Sequence, residues 1–304
     1  MAQTTDTLLL VRPSRFRKNE ETAVNNYFQE DVSDPNRTLR AQQEFDSFVD
    51  QLHTHNINTL VIQDGGEYDT PDSIFPNNCI SFHQQTVVLY PMFAENRRRE
   101  RKLGYLQALK QRGLTYNRII NYTRFEKENR FLEGTGSLIL DRVARIAYCS
   151  LSPRASADMV HQFCLDLDYE PFIFVANQTV DGLRLPIYHT NVMLSVGTHF
   201  AVLCTESIDN RAEKERLIRR LQETGKAVIA ISEEQMHNFA GNILEVKSTT
   251  GKPHIIMSSR AFRAFNTDQL NQLHVWGSII HSPLTIIEKA GGGSARCMLA
   301  EVFY

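Results

Sequence analysis

No stretch of this 304-residue chain approaches the ~18 consecutive apolar residues that a membrane-spanning helix needs. Basic residues are not in excess either: 33 Lys and Arg stand against 35 Asp and Glu, a net charge of −2. A general binder of nucleic acid or of a membrane surface would carry a basic face, so neither class of partner is expected and a small-molecule partner is favoured. The five cysteines, Cys79, Cys149, Cys164, Cys204 and Cys297, are odd in number and scattered, with no CxxC and no Cys/His ligand spacing. Disulfides and a metal site are therefore not expected. The N-terminal TLLLVRP lacks the basic flank and apolar length of a signal peptide, which makes the cytoplasm the expected location. The first strand-to-helix junction has no GxGxxG, and no Pro/Gly/Ser-rich linker divides the chain. A doubly wound nucleotide-binding fold is disfavoured, and one domain over 1–304 is expected.

What the chain does contain is a rhythm of short β-branched runs and amphipathic helices. Strands are expected over 7–13, 58–63, 79–83, 86–92, 137–141, 145–150, 171–177, 191–197, 200–207, 227–232, 254–259 and 285–290. Helical periodicity falls at 38–55, 96–112, 153–168, 210–224 and 267–274. Three times the order is two strands on a tight turn, a helix and a further strand, a ββαβ unit at roughly 60-residue spacing with no sequence repeat beneath it. Residues 14–37, polar and rich in Arg, Asn and Asp, form a long loop of the kind that serves as a lid.

Few segments carry chemistry. GGGSARCM (291–298) puts Cys297 just after a glycine turn, where backbone can approach a ligand closely and Arg296 favours the thiolate. The other four cysteines lie in apolar strands or a helix and are read as packing. YHTNVML (188–194) places His189 at a strand end, a position from which an imidazole can face a cleft and titrate. FLEGTGSLIL (131–140) aims Glu133 from a turn, TPDSIFPNN (70–78) clusters Asp72, Asn77 and Asn78, and Arg97 of AENRRRERK lies near a helix N-terminus that suits an anion.

Together these segments resemble the guanidino-group-modifying enzymes of the pentein fold, namely arginine deiminases, dimethylargininases and amidinotransferases, and most closely their bacterial citrulline-hydrolase-like branch. The motifs follow the family's order over 70–298. The resemblance implies an α/β fold, a pseudo-fivefold α/β-propeller of ββαβ modules, in agreement with the repeat. It also implies a nucleophile at Cys297, a catalytic His189 and Glu133, and Asp72 at the substrate's amino group. RRRE and SPRAS resemble the surroundings of the family's two carboxylate-gripping arginines, which points to Arg97 and Arg154. Enzymes of arginine hold the guanidinium between carboxylates where this chain has Asn78 and Asn191. A buried cation without an anion is costly, whereas a neutral ureido group is matched by amides.

Citrulline is therefore the expected substrate. Cys297 would attack the ureido carbon, His189 would protonate the leaving nitrogen and activate water, and Glu133 would orient the substrate nitrogens. Ornithine, ammonia and carbon dioxide are the expected products, and no cofactor is called for. Arginine deimination, dimethylarginine hydrolysis, amidino transfer and a non-catalytic amino-acid-binding protein are the alternatives. The sequence leaves homodimer formation open.

Overall fold

The computed structural model describes residues 2–304, and five three-stranded sheets of one connectivity organise them. The strands are β1 (Thr7–Arg12), β2 (Asn58–Gln63), β3 (Ile80–His83), β4 (Thr86–Leu89), β5 (Arg118–Asn121), β6 (Ile139–Asp141), β7 (Ile146–Ser150), β8 (Glu170–Phe174), β9 (Asn177–Val180), β10 (Leu183–Pro186), β11 (Leu194–Val196), β12 (Phe200–Cys204), β13 (Ala227–Ile231), β14 (Leu244–Lys247), β15 (Pro253–Ser258), β16 (Ser278–Ser282) and β17 (Ala300–Glu301). The sheets run β17-β1-β2, β3-β4-β5, β6-β7-β8, β11-β12-β13 and β14-β15-β16. In each, the first strand pairs antiparallel with the second and the second parallel with the third. A parallel pair needs a long crossover, and a helix supplies it every time. The crossovers are Arg37–Thr54, Tyr105–Gln111, Ala157–Leu167, Arg211–Glu223 and, in the fifth sheet, Ser259–Ala264 with Thr267–Trp276. The first strand of the first sheet is the chain's last, β17, so the two ends of the sequence close one sheet.

The middle strands explain their own apolar runs. Leu8 and Leu10 of β1 face Phe45, Phe48 and Leu52 of the helix Arg37–Thr54, while Leu9 and Val11 face Ile80, Phe82 and Val302. A strand covered on both faces reads as a continuous hydrophobic run. The edge strand β2 alternates buried and exposed residues instead.

Most expected elements lie within two or three residues of those observed, and three are corrected. Residues 285–290, read as a strand from Thr-Ile-Ile, form the helix Thr285–Gly291. Its buried Ile286, Ile287 and Ala290 belong to the apolar cluster of the helix Arg37–Thr54. The carboxylate of Glu44 accepts from Ile286 N (2.9 Å) and Ile287 N (3.1 Å), satisfying orphan donors at the helix start. Helix 96–112 is broken: Asn96–Leu103 is a 3₁₀ segment, Gly104 turns left-handed at φ 77°, and Tyr105–Gln111 is α-helical. Arg97 is thus no side chain at an α-helix N-terminus. Its guanidinium pairs one turn on with Glu100, Nε to Oε1 at 2.8 Å. The glycine turn before Cys297 is the end of the helix Thr285–Gly291, with Gly292 left-handed, followed by a 3₁₀ turn Ala295–Met298. Strands β9, β10, β14, β16 and β17 were not expected.

No helix among the described residues is long and apolar enough to cross a membrane.

Candidate active site

The residues singled out in the sequence converge at the heads of the first strands. Asn78 stands two residues before β3, Gly136 three before β6, Asn191 three before β11, Asn242 two before β14 and Cys297 three before β17. The five sheets thus each deliver one residue to a common place. A Cβ on Gly136 would overlap Asn78 Nδ2 and sit 2.9 Å from His189 Nδ1, so only glycine leaves the imidazole that space.

Cys297 is buried and belongs to the apolar cluster that holds Ile74, Phe75 and Leu299. Its sulfur faces amides instead. Asn242 Nδ2 lies 3.2 Å and Asn191 Nδ2 3.4 Å from Sγ. Burial pushes the thiol above its ordinary value, opposed by the Ser294 backbone, the Asn242 amide, the charge of Arg296 and the Asn191 amide.

His189 Nε2 meets Glu133 Oε2 at 2.8 Å. The other carboxylate oxygen accepts from Phe93 N (3.0 Å), and the guanidinia of Arg154 (3.5 Å) and Arg97 (3.8 Å) close on Oε2. Burial opposes the Glu133 charge, but Arg154, the His189 hydrogen bond and Arg97 outweigh it and bring the carboxyl down to about 2. Burial dominates at His189 and lowers it to about 4, against the pull of Glu133. The resting pair is a carboxylate beside a neutral imidazole whose Nε2 carries the proton, which leaves Nδ1 as the basic nitrogen. With its oxygens so engaged, Glu133 holds the imidazole in one orientation.

Arg97 is fully buried and almost fully committed. It donates to Glu100 through Nε and Nη2 (2.8 and 3.1 Å), to Phe75 O (3.1 Å) and to Asn78 Oδ1 (2.6 Å). Asn78 in turn donates from Nδ2 to Asn77 Oδ1 at 2.9 Å, so its amide cannot flip. Arg154 lies under the 14–37 segment, its Nε 2.8 Å from Asn25 Oδ1 and its Nη2 2.9 Å from Thr22 O, with its plane over the Tyr188 ring.

The same segment covers Asp72, whose Oδ2 accepts from Asn19 Nδ2 (2.8 Å) and Thr22 Oγ1 (3.0 Å). Gln29 Nε2 bonds Thr22 Oγ1 and Gly291 O, both at 3.1 Å. Two buried acceptors here, Asp72 Oδ1 and Gln29 Oε1, have no partner among the described residues. All eight side chains singled out from the sequence are therefore in one region. Asn242, Gln29 and Gly136 were missed. The strand-head position shared with Asn78, Asn191 and Cys297 is the signal that marks Asn242 and Gly136.

Residues 12–304 match the family described as N,N dimethylarginine dimethylhydrolase, eukaryotic. No curated protein sequence matches the chain. Among solved structures it is similar to the N-terminal domain of ArgZ, a cysteine-to-serine variant bound to substrate, described as an arginine dihydrolase from the ornithine–ammonia cycle in cyanobacteria. That likeness has a TM-score of 0.75 at 17% identity over 98% of both chains. It is also similar to an AgrE variant in complex with L-arginine (TM-score 0.72, 20% identity), covering 97% of this chain and 40% of that one. A third likeness is to a dimethylarginine dimethylaminohydrolase adduct with S-methyl-L-thiocitrulline (TM-score 0.65, 13% identity, 98% and 99% covered).

Proposed function

The chain belongs to the N,N dimethylarginine dimethylhydrolase family of guanidino-modifying pentein enzymes, and from that premise we propose that it is a cysteine hydrolase of citrulline. Cys297 is the nucleophile, His189 the proton carrier and Glu133 the anchor of the imidazole. One observation carries the choice of substrate. The groups bonded to the sulfur are the amides of Asn191 and Asn242, not carboxylates, and Glu133 is engaged by His189, Phe93 N and two arginines. A guanidinium at the sulfur would lack an anionic partner there, whereas a ureido group finds amide partners.

The two unpartnered acceptors, Asp72 Oδ1 and Gln29 Oε1, support an ammonium site for the α-amino group. Arg154, with the remaining N–H of Arg97, takes the α-carboxylate, and Arg97 also fixes Asn78. The thiol proton passes to His189 as sulfur attacks the ureido carbon; the tetrahedral oxyanion meets amide N–H groups, and ammonia departs with that proton. Water activated by His189 then releases a carbamate that loses carbon dioxide to give ornithine.

Five sheets of one connectivity, with β3 against β17 and β11 against both β6 and β14, support a pseudo-fivefold propeller built by 1–304 as one catalytic domain. A cytoplasmic enzyme is the accompanying reading.

The second reading is hydrolysis of arginine itself, favoured by the fold shared with ArgZ, described as an arginine dihydrolase. Ammonia release from citrulline, arginine, methylated arginines and agmatine separates the two. Turnover of citrulline that vanishes in Cys297→Ala is expected. Turnover of arginine with citrulline untouched, or full activity in Cys297→Ala, overturns the assignment.

A further inference from the structure

Asn242 is fully buried at the head of β14, and both ends of its amide are fixed. Oδ1 accepts from the backbone N–H of Arg296 at 3.1 Å. Nδ2 donates to the carbonyl of Asn191 at 2.9 Å and has a second proton whose partner is the Cys297 sulfur at 3.2 Å. An exchange of oxygen and nitrogen would set donor against donor at Arg296 and acceptor against acceptor at Asn191, so the orientation is dictated. Asn191 is not held this way: its Nδ2 and Oδ1 lie 3.4 and 3.8 Å from the sulfur, and either can turn.

A close backbone approach sets Asn242 in place. A Cβ on the preceding Gly241 would collide with the carbonyl oxygen of Val192 and stand 3.0 Å from Met193 Cα, so the chain there lies directly on the residues leading into β11. The imidazole, in contrast, spends its Nε2 on Glu133, and its hydrogen bonds do not include the sulfur.

Resting on Cys297 as the nucleophile, we propose that Asn242 is a further catalytic residue, an amide that donates to the Cys297 sulfur and supports its electron pair before attack and after release. In the first step the S–C bond forms and the carbonyl π pair moves to oxygen; on collapse the C–N bond breaks and ammonia leaves with the proton held by His189. When water has added to the thiocarbamate, the S–C bond breaks and its electron pair returns to sulfur, facing the same N–H. Asn242 serves both ends of the cycle, while Asn191 is free to turn from the sulfur to the substrate. In the resting protein both amides act on the thiol against its burial.

The test is the pH dependence of Cys297 alkylation by iodoacetamide, followed at that residue by peptide mass spectrometry on the full chain. Asn242→Ala removes the donor. Asn242→Asp keeps the acceptor for Arg296 and sets an anion on the sulfur. Both variants should raise the alkylation midpoint, by about one to two pH units for the loss of one hydrogen bond to a charged group, and further in Asn242→Asp. His189→Ala should move it by less than about half a unit while ending turnover.

Midpoints in folded Asn242 variants that overlay the wild type refute the proposal. So does a midpoint that moves only in His189→Ala, a result that stands even if an Asn242 variant fails to fold. Shifted midpoints in a protein that never turns over citrulline would sink the substrate assignment and leave the sulfur clamp standing.

Discussion

Replacing Glu133 by Gln keeps the shape of the side chain and halves its acceptors. The carboxylate serves two hydrogen-bond partners, Phe93 N at 3.0 Å and His189 Nε2 at 2.8 Å, and two cations, the guanidinia of Arg154 and Arg97 at 3.5 and 3.8 Å. An amide presents one oxygen, so its NH₂ must point either at Phe93 N–H or at His189 and the two arginines. In the second case the imidazole must accept at Nε2, the proton moves to Nδ1, and the nitrogen beside Gly136 is no longer a base. At an effective dielectric of about 20, each lost charge pair is worth roughly 4 to 5 kcal/mol before solvation is recovered. The net cost of leaving buried charges unpaired is about 3–5 kcal/mol of folding stability.

Losing the correct tautomer should reduce kcat by about 10²–10⁴, the usual weight of general acid–base catalysis. Glu133 also raises the imidazole against its burial, so the variant's acid limb should move to lower pH. Initial rates of ammonia release give kcat and KM across pH, and urea unfolding gives the stability. A Glu133→Gln protein that loses stability but keeps kcat within about tenfold would show that the carboxylate is a strut and the proton chemistry lies elsewhere.

Asn78→Asp sets an anion at the ureido end, next to Arg97, and should move kcat/KM from citrulline towards arginine by about tenfold or more, the value of one charge-assisted hydrogen bond; an unchanged ratio in the two-substrate assay counts against the amide lining as the source of selectivity. Gly136→Ala drives a methyl into Asn78 and to 2.9 Å from His189 Nδ1, so kcat should collapse alongside a loss of about 1–3 kcal/mol of stability, and a fully active Ala variant would place the reacting carbon elsewhere. Acid should destabilise the fold in two stages. His189 sits at about 4 where its ordinary value is 6.5, and Glu133 at about 2 where its ordinary value is 4.5. The unfolded chain takes up both protons first, so stability is complete above pH 6.5, falls through His189 between 6.5 and about 4, and falls through Glu133 between 4.5 and about 2. A urea midpoint that stays flat from neutral pH to pH 3 would contradict these protonation states.

The legible part of the fold was the part written locally. TLLLVR, NTLVIQ and AVIAI are β-branched or leucine runs of strand length, and each is a strand. TIIEKA carries the same local message and is a helix, because Glu44 of a distant helix accepts from its first amides and the helix Arg37–Thr54 takes its apolar face. Tertiary context overrides propensity where a few hydrogen bonds and one packed face decide the outcome. The two-residue strand β17 could not be recognised locally either, since it exists by pairing with β1 some 290 residues earlier.

The site divides the same way, between residues that a motif announces and residues that only the assembled sheets bring in. Cys297, His189 and Glu133 sit in glycine turns and strand ends that a sequence can display. Asn242 lies in AGNILEV with nothing local to distinguish it from any asparagine before a strand. Its importance comes from Gly241, which lets two strand heads approach until one amide spans the Arg296 N–H, the Asn191 carbonyl and the sulfur. The position is nonetheless repeated: Asn78, Gly136, Asn191, Asn242 and Cys297 each precede the first strand of a sheet by two or three residues. A repeat of this kind is invisible to a comparison of residue types, because the five positions hold three asparagines, a glycine and a cysteine. What recurs is the backbone geometry that brings one residue of each unit to the same place, and chemistry has differentiated the five within that constraint, down to a glycine that leaves room for the imidazole.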